Sequence, residues 1–300
     1  MLKIACSNIY QHPLPEGHRF PMIKYELIPE QLLYEGTVTD KNFFEPKAAN
    51  EEDILRTHTV QYWKKLKNLE LTRKEERKTG FPLSRQLVQR EIVINQGTID
   101  CAFYAKKYGV AMNVAGGTHH AYADRGEGFC LLNDIAMAAN HLLAKKIAKS
   151  ILVVDLDVHQ GNGTAKIFEN DPRVFTFSMH GASNYPMFKE KSDLDIALEN
   201  NTDDATYLKH LRENLPRLID QQKPDFIFFQ SGVDVLATDK LGKLGLSMEG
   251  CKTRDRMVLE ACKKDQIPVV VSMGGGYSER IAHIVEAHAN TYRLAQELFF

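Results

Sequence analysis

The sequence lacks an excess of charge of either sign and lacks long apolar runs. In its 300 residues, 38 Lys and Arg are balanced by 39 Asp and Glu, which leaves a formal net charge of -1. Without a global positive field, we expect no direct nucleic-acid binding. No apolar run approaches the roughly 20 residues that a bilayer span requires, and the apolar start of the chain is too short for a signal-peptide core. These absences predict a cytoplasmic protein with no membrane span.

Cysteines are few, and the chain shows no sign of division into parts. The five cysteines are widely spaced without a CxxC pair, so we expect reduced thiols that serve as packing residues, Cys130 among them. No internal repeat, low-complexity tract or Gly/Ser/Pro-rich linker interrupts the sequence. We therefore predict a single domain over residues 1–300.

Short runs rich in Val, Ile and Phe recur along the chain without polar alternation. This pattern is typical of a parallel sheet covered on both faces. Segments with helical periodicity lie between the runs, and strand alternating with helix indicates βαβ units. We predict an α/β fold, a doubly wound domain with a central, mostly parallel β-sheet flanked by helices. The predicted strands are residues 2–6, 110–114, 151–155, 174–178, 226–231 and 268–272, and the clearest helices are residues 133–148, 205–220, 247–264 and 279–299, with Asp134 and Ser247 as N-caps of two of them.

Residues 64–90 form the least regular stretch. Nine Lys and Arg stand there among three Glu. Such runs usually keep a surface solvated, so we interpret the stretch as a solvated helix and loop; a partner-binding patch is the alternative.

Polar residues follow several of the predicted strands. Open parallel sheets place their ligands beyond the carboxyl ends of the strands, so these residues should converge on one edge. This convergence is the main functional signal in the sequence. The segments are residues 115–120 with His119 and His120, residues 155–163 with Asp155, Asp157, His159 and Asn162, residues 231–234 with Asp234, and residues 272–277 with Tyr277.

Three of these residues form a candidate metal site. Asp157 and His159 are two apart, so extended backbone projects both to the same side, and Asp234 is our choice for the third ligand. Two carboxylates and one imidazole with an open position indicate a catalytic metal. Zinc fits best, and ferrous iron is the alternative because N/O ligation alone does not separate the two ions.

The remaining strand-end residues suit proton transfer and charge stabilisation. His119 and His120 follow a Gly-Gly turn and can act as an acid/base pair. Asp155 is placed to fix the tautomer of one histidine and Asn162 that of the other, although Asn162 can equally be a turn residue at positive φ. Tyr277 can donate a hydrogen bond to a developing oxyanion.

Four motifs in this order resemble the zinc-dependent histone deacetylase family, which has the arginase/deacetylase fold. They are Gly116-Gly-Thr-His-His-Ala121, Gly128-Phe-Cys-x-x-Asn133-Asp-Ile-Ala136, Asp155-x-Asp-x-His-x-Gly-Asn-Gly163 and Gly274-Gly-Gly-Tyr277. The resemblance runs from about Arg19 to the last helix. Gln160 with Asn162, and the segment at residues 231–244, look most like the class IV branch.

The resemblance implies a hydrolase that removes acetyl or longer fatty acyl groups from the ε-amine of lysine in proteins; deacetylation of small amines such as acetylpolyamines is the alternative. It implies Asp157, His159 and Asp234 as zinc ligands, His120 as general base and acid, and His119, hydrogen-bonded to Asp155, as the residue that positions water. Tyr277 would polarise the substrate carbonyl. A structural K⁺ is implied near the Asp155 segment and Ser178. The expected tunnel residues are Gly128, Phe129 and Tyr185, and Arg19 resembles the arginine that lines the cavity beneath the metal.

Two other classes remain to be separated from this one. Ureohydrolases of the same fold hold two manganese ions through additional carboxylates, but this chain has Gly161 and Gly232 at those positions. A second metal would lack two ligands, so we expect a single-ion site. A non-catalytic reader of acyl-lysine should have lost catalytic groups, and both histidines and Tyr277 are present.

Overall fold

In the computed structural model, which describes residues 1–300, all eight β-strands belong to one sheet. Their order is β2-β1-β3-β8-β7-β4-β5-β6, and every neighbouring pair is parallel. The predicted α/β class is confirmed, and the sheet is wholly rather than mostly parallel. The strands are β1 (Lys3–Ala5), β2 (Phe43–Phe44), β3 (Val110–Asn113), β4 (Ile151–Asp155), β5 (Val174–Gly181), β6 (Leu194–Leu198), β7 (Phe226–Ser231) and β8 (Val269–Met273).

The four central strands β3, β8, β7 and β4 are buried at every position. Burial on both faces explains their continuous apolar sequences, which made them predictable. The sequence analysis missed the two edge strands, β2 and β6. β2 has only two residues, and β6 has five and is mostly half-exposed, so neither is a long run buried on both faces.

Ten helices connect and cover the strands. Nine of them form two groups, and the helices of each group contact one another. One group is α1, α8, α9 and α10, and the other is α2, α3, α5, α6 and α7. The helices are α1 (Lys24–Tyr34), α2 (Glu51–Leu55), α3 (Val60–Asn68), α4 (Arg73–Thr79), α5 (Arg85–Tyr108), α6 (Asp134–Ala144), α7 (Asn162–Phe168), α8 (Asp204–Gln222), α9 (Met248–Lys264) and α10 (Ile281–Phe299). None is long and apolar enough to cross a membrane.

The four predicted helices are present, with one correction at a cap. Ser247 caps α9 through its hydroxyl, which accepts from the Gly250 amide at 2.9 Å. Asp134 does not cap α6; Asn133 does, by accepting from the Ala136 amide at 3.0 Å. Asp134 is instead the first helical residue, and its carboxylate is committed to tertiary contacts, accepting from the Thr118 amide at 2.8 Å.

Residues 64–90 cover the end of α3, all of α4 and the start of α5. Most of the basic side chains there are exposed, as a solvated surface requires. Arg90 is the exception, with only 2% of its surface exposed and its Nε donating to the Tyr10 carbonyl at 2.7 Å. The expectation of a solvated segment is therefore wrong at Arg90, because α5 enters the core there.

All five cysteines are free, and all but Cys6 are buried. Burial raises the pKa of each buried thiol, including Cys130, whose Sγ donates to the Gly128 carbonyl at 3.3 Å. A high thiol pKa disfavours the nucleophilic thiolate. The cysteines therefore serve packing, as expected.

Candidate active site

Asp157, His159 and Asp234 converge where β4 and β7 end. His159 Nδ1 lies 3.1 Å from Asp157 Oδ1 and 3.1 Å from Asp234 Oδ2, and the candidate ligand atoms all lie within 4.8 Å of one another. All three side chains are buried. Burial, and next the negative charge of Asp157, raise the pKa of Asp234 to about 7. Two buried carboxylates this close need a compensating cation, so the donor set fits a divalent metal ion.

Glycines allow the loops that carry these ligands to approach one another. The Gly275 amide donates to Asp157 Oδ2 at 2.7 Å, and the Val158 amide donates to Asp234 Oδ1 at 3.0 Å. A Cβ on Gly232 would lie 2.3 Å from Asp157 Oδ2, so no larger residue fits without a shift. Backbone amides thus orient both carboxylates. We call Asp157, His159 and Asp234 the donor cluster.

The histidine pair lies beside this cluster, with 4.1 Å between the ring centroids of His119 and His120. His119 Nδ1 is 2.7 Å from Asp155 Oδ2, and His120 Nδ1 is 2.6 Å from Asn162 Oδ1. Both partners are acceptors, so each histidine carries a proton on Nδ1, and Nε2 of each ring is directed to other contacts. The Asn162 amide orientation is set by Nδ2, which donates to the Tyr122 hydroxyl at 2.9 Å.

The different surroundings of the two histidines shift their pKa values in opposite directions. Burial lowers the pKa of His119, but the charges of Asp155 and Asp157 outweigh it and raise that pKa to about 9. Burial, followed by the charges of His119 and His159, holds the pKa of His120 well below its usual value. The neutral Asn162 offsets little of this. His120 is therefore the histidine that is free to accept a proton.

Asn162 is the first residue of α7 and does not have positive φ. The turn interpretation of Asn162 is therefore wrong. Its helical start instead directs the side chain to His120.

Tyr277, Phe129 and Tyr185 surround the approach to the histidines. The Tyr277 amide donates to Asp239 Oδ2 at 2.6 Å, and its ring lies 6.0 Å from that of Phe129 and 6.3 Å from His159. Tyr185 stands edge-on to His120 at 5.0 Å between ring centroids. Phe129 and Gly128 both have positive φ, and the Phe129 ring lies 5.2 Å from the Phe20 ring and 5.3 Å from the Phe81 ring, between centroids. These aromatic rings form a narrow passage.

Two cavities meet at this passage. An inner cavity of about 40 Å³ is lined by Asp157 and His159 of the donor cluster, and an outer cavity of about 730 Å³ opens toward solvent. Both are lined by His120, Gly128, Phe129, His159 and Tyr277. The arrangement is a wide mouth that narrows to a small reaction chamber.

The inner cavity is closed by Lys24 and Arg90 rather than by Arg19. Arg19 is exposed and lines the outer cavity, with its guanidinium 5.4 Å from the Phe129 ring centroid. The expectation that Arg19 lies beneath the metal site is therefore wrong. Lys24 is 1% exposed, its Nζ donates to the Gly274 carbonyl at 3.1 Å, and burial lowers its pKa to about 8. Its spacing with Ile28 and Leu32 on one helix face was the available sequence signal.

Comparison with known proteins identifies the family. The sequence matches the histone deacetylase domain over residues 18–292. The chain belongs to the histone deacetylase family. It is 30% identical to histone deacetylase 2 of Arabidopsis thaliana, over 89% of this chain and 72% of that protein. It is 42% identical to an uncharacterized protein of Picosynechococcus, over 97% of each.

Two further comparisons are more distant in sequence. Acetoin utilization protein AcuC of Staphylococcus aureus is 24% identical over 91% of this chain and 76% of that one. The crystal structure of an HDAC homolog complexed with SAHA superposes with a TM-score of 0.85 at 23% identity, covering 99% of this chain and 84% of that chain. The shared architecture is the deacetylase fold. The domain match and the 30% identical histone deacetylase 2 support the assignment of the protein as a deacetylase amidohydrolase.

The local geometry of this deacetylase disfavours a second metal. A Cβ on Gly161 would lie 2.2 Å from Asp155 Oδ2, and the one on Gly232 would meet Asp157. Carboxylates at these two positions, which a two-metal ureohydrolase needs, would collide with groups already present.

Sequence reasoning missed Arg254 and Asp255, which support the loops that carry the metal-site residues. Both are fully buried, Arg254 Nε donates to Asp255 Oδ1 at 2.8 Å, and Arg254 Nη1 donates to the Leu156 carbonyl at 3.1 Å. Arg254 also donates to the Gly232 carbonyl. The two residues occupy core positions of α9, between Cys251 and Val258. Charged residues at apolar-stripe positions were the signal that could have revealed them.

Proposed function

We propose that this protein is a metal-dependent lysine deacylase that removes acetyl groups from lysine side chains of proteins. The main observation in support is the narrow passage that connects the outer cavity to the donor cluster, the histidine pair and Tyr277. A lysine side chain is long and unbranched, so it suits a passage bounded by Phe129 and Tyr185. We also propose that residues 1–300 form one catalytic domain and that the chain is most like the class IV branch. The roles given to individual residues below belong to the same proposal.

Asp157, His159 and Asp234 are the residues that would hold the metal. We propose Zn²⁺, with Fe²⁺ as the alternative. When bound, the ion supplies Lewis acidity toward the amide carbonyl and lowers the pKa of a water ligand. A structural K⁺ is proposed near Ser178, which is buried and pairs in register with Asp155.

Three residues of the chain have distinct roles in proton transfer and charge stabilisation. His120, with a lowered pKa and a free Nε2, accepts a proton from the attacking water and later delivers it to the leaving amine. His119, paired with Asp155, orients the water and supplies positive charge. The Tyr277 hydroxyl donates a hydrogen bond to the substrate carbonyl oxygen as negative charge develops there.

The size of the inner cavity supports a short acyl group. The inner cavity is closed by Lys24 and Arg90 and is far smaller than the outer one, about 40 Å³ against about 730 Å³, which favours an acetyl group over a fatty acyl chain. The proposed acyl group is therefore acetyl, and the longer fatty acyl groups implied by the class IV resemblance are the less favoured alternative.

The experiment is a turnover screen of the purified protein with Zn²⁺ or Fe²⁺. Lysine peptides with acyl groups from acetyl to myristoyl are compared with acetylpolyamines. We expect the highest kcat/KM for acetyl-lysine peptides and a loss of at least about a hundredfold in kcat for Tyr277→Phe. Faster turnover of acetylpolyamines or of myristoyl-lysine than of acetyl-lysine would overturn the proposed substrate, and turnover undiminished in Tyr277→Phe would overturn the proposed mechanism.

A further inference from the structure

The outer cavity carries a local excess of positive charge in a protein whose net charge is close to zero. Five cationic side chains and two carboxylates line it. The cations are Arg19, Arg77, Lys78, Arg125 and Lys243, and the carboxylates are Glu127 and Glu190. With a formal net charge of -1 for the whole chain, this excess is a property of the cavity rather than of the protein.

The two carboxylates are already engaged. Glu127 accepts from Lys78 Nζ and Arg125 Nε, each at 3.1 Å, and from the Tyr185 hydroxyl at 2.7 Å. Burial raises the pKa of Glu127, but these hydrogen bonds outweigh it and lower the pKa, so Glu127 stays ionised. Glu190 accepts from the Tyr122 hydroxyl at 3.0 Å. Lys78 and Arg125 thus share Glu127 as an ion-pair partner, and Arg125 also pairs with Asp124 at 3.0 Å.

Three cations remain without a carboxylate partner. Arg19, Arg77 and Lys243 are all exposed, and none has a carboxylate oxygen within 4.0 Å. Lys243 Nζ donates only to the Ser183 carbonyl, at 3.2 Å. We call these three residues the cationic rim. They lie around the entrance through which a substrate must pass.

An exposed apolar pair adjoins the cationic rim. Met187 and Phe188 are each 86% exposed and line the same outer cavity. Adjacent apolar side chains exposed to this degree at a cavity mouth indicate a contact surface. A partner that matches both features carries negative charge and an apolar side chain.

We propose that the cationic rim selects acyl-lysine that lies in an acidic segment of a partner protein, with Asp or Glu flanking the lysine. This inference rests on the proposed lysine deacylase function. The flanking carboxylates meet Arg19, Arg77 and Lys243, while an apolar residue of the segment packs on Met187 and Phe188. A polyamine, or a segment rich in lysine and arginine, brings further positive charge to the same entrance and is repelled.

The test uses acetyl-lysine peptides that are identical except for acidic, neutral or basic flanks. We expect kcat/KM to be about tenfold higher for acidic than for basic flanks, since several exposed charge pairs each contribute a few-fold. The difference should shrink between about 0.1 M and about 1 M salt, because the screening length falls from about 10 Å to about 3 Å.

Charge-reversed variants separate the cationic rim from general electrostatics. In Arg77→Glu and Lys243→Glu, the order of acidic and basic peptides should invert or flatten. Lys149→Glu is the matched control; Lys149 is exposed and precedes β4, at the edge of the sheet opposite the site, so its reversal should leave the order unchanged.

The possible results distinguish the two proposals. If no peptide is hydrolysed whatever its flanks, the lysine deacylase function is wrong. If all three peptides are hydrolysed with the same kcat/KM and the same salt dependence, or if Lys149→Glu alters the order as much as Arg77→Glu does, the cationic rim has no selective role and only this inference fails.

Discussion

Arg254 gives the sharpest test of how the fold supports the site. Replacement by Met keeps an unbranched chain of similar length but removes the charge. Asp255 is then left buried at 0% exposure with only the hydroxyl of Thr291, at 2.6 Å, and that of Ser231, at 3.3 Å, as partners. The Leu156 and Gly232 carbonyls lose their donor at the same time.

The expected cost follows from these losses. Removing one partner of a buried ion pair costs about 3–5 kcal/mol, and a buried polar group left unpaired costs about 1–3 kcal/mol. The losses overlap, so we expect Arg254→Met to lower the free energy of unfolding by about 4 kcal/mol, a large part of the roughly 5–15 kcal/mol typical of a folded protein. Leu156 lies between Asp155 and Asp157, so metal affinity should fall as well.

The assay is urea unfolding followed by circular dichroism, together with metal retention against a competing chelator. Arg256 is the matched control on the same helix, because its ion pair with Glu297 at 3.0 Å is partly exposed. Arg256→Met should cost about 0–1 kcal/mol. Adding Asp255→Asn to Arg254→Met should recover part of the stability. Equal unfolding midpoints for Arg254→Met and Arg256→Met, or no recovery in the double variant, would refute the reasoning.

Three further predictions concern protons and the metal. Burial lowers the pKa of His58 to about 4, whereas the side chain titrates at about 6.5 in the unfolded chain. Its contribution to stability, up to about 3 kcal/mol, should therefore be complete above pH 6.5 and be lost as the pH falls toward 4. The urea midpoint of His58→Gln should depend less steeply on pH in that window than the midpoint of the unmodified protein. In Asn162→Asp, the new carboxylate favours protonated His120, so the acidic limb of the pH-rate profile should move upward; an unchanged limb would count against the Asn162 contact as a determinant of basicity. Chelation of the metal should abolish turnover and lower the unfolding midpoint, and re-addition should restore both; a midpoint indifferent to chelation would argue against Asp157 and Asp234 as ligands.

The fold was predictable where burial and periodicity agree. β4 and β7 have the predicted bounds, because strands buried on both faces leave an uninterrupted apolar signal. The long helix α5 was missed although it lies in the core. Its buried positions include Glu91, Asn95 and Thr98, and these polar residues conceal the apolar stripe that periodicity detects.

The candidate site was predictable to the extent that it follows strand ends. Asp157, His159 and Asp234 could be grouped because parallel strands end at one edge, and the structure brings their side chains together there. Arg19 was assigned to the inner cavity only by resemblance, and Lys24 was not considered, because both lie near the N-terminus in a segment without a strand signal. Only the packing of α1 shows which of the two cations is buried in the inner cavity.

The sequence by itself determined the fold class, the order of the central elements and the chemical inventory at the strand ends, because these depend on local pattern and on the general rule for parallel sheets. Only the tertiary structure decided the support of the site by Arg254, the closure of the inner cavity by Lys24 and the charge left unpaired around the entrance. Those features depend on contacts between residues 22 to 250 positions apart in the sequence, or on which charges find a partner. The spacing of residues along the chain predicts neither of these.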